Sequence, residues 1–221
     1  MCGRFTVTTE QEIIEARFHA QAAEQIGRHY NACPNHDQYK LPVITTEDPA
    51  HITMRYWGLL PFWWTRDERG LINVRHETLR DKRTFRKDLA EQRCLVLADG
   101  FYEWKGEKGR KKPYYIRLKG GEPFAFAGLY EENKWDGKII ETFAIVTTVP
   151  NALMVPIHNR MPVILSPADE RAWIRPDTSP EQALEMLNHP LSAEGMEAYA
   201  VSAKVNNPAY DHADLLEPVK R

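Results

Sequence analysis

The chain carries a cysteine at its second position, in the opening run "MCGRF". Methionine is usually removed when a small residue follows it, and removal here would make Cys2 the first residue. Cys2 would then hold an α-amine and a thiol together, two nucleophiles that are both partly active near neutral pH. Such a 1,2-aminothiol condenses with an aldehyde to an imine, and the thiol then closes a five-membered thiazolidine ring. An internal cysteine cannot do this. The plainer alternative is a cysteine that merely follows Met1.

Three other stretches carry chemistry-bearing side chains. "LINVRHET" brings Asn73, Arg75, His76, Glu77 and Thr78 together. If it is extended, Asn73, Arg75 and Glu77 share one face and His76 points away. Asn and Arg suit an anionic or carbonyl-rich ligand, though a polar edge strand reads the same way. "ADGFYEWK" sets Glu103 among Phe101, Tyr102 and Trp104, with Asp99 and Gly100 just before. A carboxylate among apolar rings is suited to holding and passing a proton, and a glycine inside a β-run marks a bulge or a close backbone approach. "VPIHNRMPVIL" puts His158, Asn159 and Arg160 before an apolar strand, where a histidine can shuttle protons and an arginine can hold a phosphate. Both stretches could equally be a surface Glu and a loop His. Half of the six tryptophans fall between Trp57 and Trp64, in "RYWGLLPFWW". Pro61 argues against a regular element there, and exposed rings beside arginine suit stacking on unpaired bases. Some of these rings must be core.

Helices and strands must position these groups. "TTEQEIIEARFHA" reads as a helix with a capping box of Thr9 and Glu12. "SPADERAWI" and "SPEQALEML" begin with Ser166 and Ser179 as caps, each followed by proline. Strand-like runs are more numerous: "LPVITT", "HITMRYWGLL", "RCLVLADGFYEW", "PYYIRL", "PFAFAGLYEE", "ETFAIVTT" and "MPVILS". Turns such as "KGGEP" and "KWDGK" separate several of them, and "KGEKGRKK" reads as a solvated hairpin tip. So many strands, so weakly interleaved with helices, predict an α+β fold. Its core is a mostly antiparallel curved sheet or barrel, with helices packed outside. No internal repeat and no low-complexity linker interrupts the chain. One domain over residues 1–221 is expected, with a looser segment from about Gly195 onward.

Composition narrows the function classes. The 221 residues are 43% hydrophobic and 27% charged, as in an ordinary globular protein, and the net charge of −2 confines any anion site to a local patch. No apolar run approaches the ~20 residues of a membrane helix, and the first residues lack a signal peptide's apolar region. The expected place is the cytoplasm, with the nucleoid, or a nucleus. Cys2, Cys33 and Cys94 are too few and too odd in number for a disulfide framework. Cys94 reads as a core thiol. His29, Cys33 and His36 in "HYNACPNH" invite a metal reading, but the spacing matches no paired knuckle, so no metal is expected. No Ser-His-Asp set, phosphate-cradling glycine loop or zinc-deaminase signature is present.

Six stretches, taken in order, resemble the SOS-response-associated peptidase (SRAP) family of abasic-site processing proteins. They are "MCGRF", "YNACP", "WGLLPFWW", "INVRHET", "ADGFYEW" and "IHNRMPVIL", from residue 2 to about residue 165, with a weaker echo in "EPV" near the C-terminus. The resemblance implies a barrel-like α+β domain with a positive groove, and a covalent crosslink to abasic sites in single-stranded DNA. It implies Cys2 as the linking residue, with Asn73, Glu103 and His158 around it. Arg4, Arg75 and Arg160 would hold phosphates, Trp63 and Trp64 would lie near the bases, and Asn31 counts with the DNA-binding set. No cofactor is implied, no membrane, and a monomer is expected. The sequence departs from the family pattern at His29, which precedes Tyr30, at Cys33 and at Asn159. Two rivals to crosslinking stay open: an N-terminal-nucleophile cysteine hydrolase, and a non-catalytic reader of damaged or modified DNA.

Overall fold

The structure is a computed structural model that describes residues 2–219, apart from 35–38, 62–69, 82–84, 108, 136 and 190. In chain order the N-terminal half runs β1 (Phe5–Val7), α1 (Gln11–Phe18), β2 (Gln21–Ala22), β3 (His29–Ala32), β4 (Leu41–Thr45), β5 (His51–Trp57), β6 (Asn73–Arg75), α2 (His76–Asp81) and α3 (Arg86–Glu91). The remainder runs β7 (Arg93–Ala98), β8 (Gly100–Lys105), β9 (Lys112–Leu118), β10 (Phe124–Trp135), β11 (Lys138–Thr148), β12 (Met161–Pro162), α4 (Pro167–Trp173), α5 (Pro180–Leu187) and β13 (Met196–Ala200).

Five strands close a barrel. β5 pairs with β4, β4 with β7, β7 with β10 and β10 with β11, all antiparallel. The ring shuts where β11 meets β5 in parallel, at Thr142↔Tyr56 and Phe143↔Trp57. This is the expected α+β class, and closure leaves these strands no open edge. Every residue of β7 is buried, because α3 and α4 cover its outer face. Arg93 on that strand is fully buried and donates to the carbonyls of Leu89, Ala90, Trp173 and Arg175, so one guanidinium satisfies the C-terminal ends of two helices.

A second sheet, in the order β13-β9-β8-β1-β3, packs against the barrel. Phe5 of β1 is its main apolar link. Its ring lies 4.9 Å from Trp57 and 5.9 Å from Phe126, and Phe101 of β8 also lies 5.9 Å from Phe126. The strand that Cys2 leads into is thus pinned to the core by an aromatic cluster.

Two expectations of the sequence give way here. The segment after Gly195 is not loose. β13 pairs with β9, and Val201, Val205 and Leu215 bury themselves beside Tyr102 and Tyr115 on the outer face of the second sheet. Helix α1 does not use Thr9 as its cap. Its N-cap is Glu10, without a side-chain hydrogen bond, while the Thr9 backbone N–H and hydroxyl both donate to Asp99. The other two helix starts are as read. Ser166 accepts from Asp169 N–H, and Ser179 forms a full capping box with Gln182. Among the described residues no helix is long and apolar enough to cross a membrane.

Candidate functional site

Cys2 lies just upstream of β1, and the pairing of β1 with β8 decides its neighbours. Phe5 stands opposite Phe101 and Thr6 opposite Gly100, and Tyr102 N–H donates to the Arg4 carbonyl at 3.0 Å. Extending that register sets Gly3 opposite Glu103, so Cys2 and Glu103 come together. Cys2 is fully buried and Glu103 is 1% exposed. Burial first, and the negative charge of Glu103 second, push the thiol well above its usual pKa. The thiol is therefore protonated at neutral pH, and its Sγ sits 3.7 Å from the Arg4 carbonyl as a weak donor.

Asn73 reaches the same point from the barrel side. It starts β6, which lies parallel to β11 with Asn73 opposite Ile145. Its Nδ2 donates to the Cys2 carbonyl at 2.8 Å. Its Oδ1 is buried and accepts no hydrogen bond among the described residues. A buried amide oxygen in that condition is an acceptor suited to an amine or hydroxyl hydrogen.

Arg75, Arg160 and His158 gather at the far end of β6. Arg75 stands opposite Thr147 of β11, and Thr147 stands opposite Pro162 of β12. Arg75 is exposed. The strand ends there, which corrects the reading that Asn73, Arg75 and Glu77 share an extended face. Helix α2 begins at His76, so Glu77 sits in its first turn. From there Glu77 takes both terminal nitrogens of Arg160, at 2.5 and 3.0 Å, and Arg160 also donates to the Thr147 carbonyl at 2.6 Å. The hydrogen bond from Arg160 holds the Glu77 carboxyl below its usual pKa. Arg160 is therefore a balanced charge, and Arg75 is the exposed one. His158 is half-buried, and its Nδ1 lies 3.0 Å from the Arg160 backbone nitrogen and 3.2 Å from the Arg160 carbonyl oxygen.

The remaining residues read from the sequence fall elsewhere. Arg4 is half-buried and donates to the Gly3 carbonyl at 3.1 Å. Asn31 is 1% exposed and does not face solvent. Its Nδ2 lies within hydrogen-bond distance of the carbonyls of Val205, Asn207 and Tyr210, and Asp211 answers by accepting from the N–H groups of Tyr30 and Asn31. This reciprocal clasp fastens the C-terminal segment to β3, and it is where the structure places Asn31, read from the resemblance as part of the DNA-binding set. His29 also faces Asp211, at 3.5 Å, so the departure at His29 serves that clasp. Trp63, Trp64 and His36 lie outside the described residues. Cys33 is buried, and its backbone N–H donates to the Tyr39 hydroxyl at 2.7 Å. Cys94 is a core thiol, pushed up to about 12 by burial. No group of three metal-ligating side chains occurs among the described residues.

The close approach read for Gly100 is real. A Cβ there would meet the Tyr115 hydroxyl at 2.1 Å. Asp99 and Tyr115, which the sequence left without a role, both bond to Thr6 of β1.

The profile of the SOS response associated peptidase (SRAP) family matches residues 1–208. A Bacillus subtilis protein named abasic site processing protein YoqW is 41% identical over 98% of this chain and 99% of its own. The Escherichia coli abasic site processing protein YedK is 33% identical over 99% of this chain and 100% of its own. Among solved structures, a Bacteroides thetaiotaomicron protein superposes with a TM-score of 0.87 at 27% identity, covering 99% of this chain and 100% of that one. A phage-related protein from Bordetella bronchiseptica gives 0.73 at 31% identity, covering 90% and 94%. The chain belongs to the SOS response associated peptidase (SRAP) family.

Proposed function

We propose that this protein acts on abasic sites in DNA and captures them covalently through Cys2 once Met1 has been removed. The reading draws on the relatives named for abasic-site processing. The observation that carries it is the placement of Cys2 between the Asn73 amide and the Glu103 carboxyl. An abasic site is mostly a closed sugar. Glu103 passes the proton that opens the ring to the C1′ aldehyde. The Cys2 amine then adds to C1′, and water leaves to give the imine. The thiol adds to the same carbon, its proton moves to nitrogen, and the thiazolidine is complete. Asn73 orients the reacting residue through its carbonyl, and its Oδ1 accepts from the amine or a sugar hydroxyl. His158 moves protons as the iminium forms and as the ring closes.

This order suits the buried thiol. A hydrolase that used Cys2 as its first nucleophile would need the thiolate early, and both burial and Glu103 oppose the thiolate. The amine acts first in aldehyde capture, and the neutral thiol is needed only afterwards. We read residues 1–221 as one domain and the protein as a monomer. Its substrate is a single-stranded abasic site, met in the bacterial nucleoid or a nucleus, with Trp63 and Trp64 as the stacking platform. Intact-mass measurement, with and without abasic single-stranded DNA, tests this. Loss of one methionine and a gain of the oligonucleotide's mass less one water are expected, and no gain rejects the reading.

Arg75 is the exposed cation of the site, whereas Arg160 is already paired with Glu77. Arg75→Ala is therefore expected to weaken binding of single-stranded DNA. It should lower the slope of log affinity against log salt by about 0.7, the change for one phosphate contact. Arg160→Ala should change that slope less. Fluorescence anisotropy across a salt series measures both slopes.

A further inference from the structure

A chain end holds its geometry only where it is tied down. The β1–β8 ladder that fixes Cys2 is short, with just Phe5 and Thr6 in register. A one-residue slip would turn every side chain of β1 to the other face. Asp99 stands where β7 passes into β8, and it is 5% exposed. Its Oδ1 accepts the Thr6 hydroxyl at 2.5 Å. Its Oδ2 accepts the backbone N–H and hydroxyl of Thr8, at 2.5 and 2.9 Å, and those of Thr9, at 2.7 and 3.0 Å. Its own backbone N–H donates to the Thr6 carbonyl at 3.1 Å. Thr6 also meets the Tyr115 hydroxyl at 3.0 Å, close to where a glycine at position 100 leaves room.

All five donors to the carboxylate come from β1 and its exit. The carboxylate itself immediately precedes β8, the strand that carries Glu103. We propose that Asp99 is the positioning residue that sets the register of Cys2 against Glu103. The β-barrel core is built from other strands, so loosening this tie should free the N-terminal strand without opening the barrel. The link to crosslinking rests on the function proposed above, but the positioning of Cys2 does not.

The experiment compares the full-length protein with Asp99→Ala, Asp99→Asn and Thr6→Val. The first readout is the rate of iodoacetamide alkylation at Cys2, with buried Cys94 as internal control. The second is the maximum crosslinking rate at saturating abasic oligonucleotide, together with the half-saturating concentration. Asp99→Ala should raise Cys2 alkylation by about tenfold or more, the fold-change for losing one well-made buried hydrogen bond, with Cys94 unchanged. It should lower the maximum crosslinking rate similarly and leave half-saturation in place. Asp99→Asn keeps an oxygen for the Thr8 and Thr9 amides and should recover part of both. Thr6→Val removes one hydroxyl at constant shape and should move alkylation the same way, by less.

An unchanged Cys2 rate in Asp99→Ala overturns the proposal, as does a parallel rise at Cys94. No movement in Thr6→Val overturns it too, in a variant that keeps the volume of this buried side chain. If the parent forms no adduct while Asp99→Ala still releases Cys2, the positioning stands and the reading of the function falls.

Discussion

Cys2→Ala should abolish the durable crosslink while leaving DNA binding close to that of the parent. Alanine at position 2 keeps an α-amine after Met1 is removed, so it can still condense with the C1′ aldehyde. It has no sulfur to occupy the electrophilic carbon. The imine then either hydrolyses or lets the 3′ phosphate leave by β-elimination. Denaturing gels should show no stable adduct, some strand cleavage, and an adduct trapped only by borohydride. A glycine inserted between Met1 and Cys2 is the companion variant. It presents an amine on glycine and a thiol on the next residue, so the five-membered ring cannot form. The exposed Arg75 is untouched in both variants, so non-covalent affinity should stay within about twofold, as for a change that removes no phosphate contact. A lasting, borohydride-independent crosslink from the glycine-extended protein would show that the aminothiol is not the reacting group.

The residues of this site were legible because their chemistry is unusual, whereas their contacts were not. Cys2 drew attention by its position, and Glu103 by its aromatic neighbours. Nothing local says that Asn73 will hold the Cys2 carbonyl, 71 positions away. That contact depends on β6 lying beside β11 and on β1 being pinned by Phe5. The contacts of Asn31 were hidden for a similar cause. Its partners are backbone carbonyls of Val205, Asn207 and Tyr210, and a carbonyl has no signature in a sequence. Thr9 followed by Glu12 is a sound local capping box, yet Thr9 is bonded to Asp99 of another segment through both its N–H and its hydroxyl, and the N-cap falls on Glu10 instead. Tertiary hydrogen bonding overrode a local preference worth about 1 kcal/mol. Ser166 and Ser179 bond to Asp169 and Gln182 of the helices they cap, so nothing draws them away and both caps form as read. The strands were found by alternation and apolar runs. Alternation left a curved sheet and a closed barrel as alternatives, because closure rests on two residue pairs between β5 and β11.

Glu103→Gln should slow crosslinking by about 10²–10⁴-fold at saturating DNA, the range for losing general acid–base help, with binding nearly unchanged. The side chain keeps its size and its place beside Cys2, so the fold should survive. What it loses is a proton it can give and take. The same substitution has a second consequence of opposite sign. The charge of Glu103 is one of the two influences that hold the Cys2 thiol up, burial being the larger. Removing that charge lowers the thiol's pKa and makes the thiolate easier to form. A reaction limited by attack of the thiol would therefore speed up, or at least hold its rate, in Glu103→Gln. A reaction limited by ring opening or by the amine's addition slows. The two orders are thus separated by the direction of one rate. Quenched single-turnover crosslinking, run beside a pH titration of Cys2 alkylation, reads both quantities from one preparation. Slower crosslinking together with a downward-shifted thiol places Glu103 on the proton path to the aldehyde. A thiol shifted down with crosslinking undiminished assigns the first attack to sulfur and removes Glu103 from the proton path.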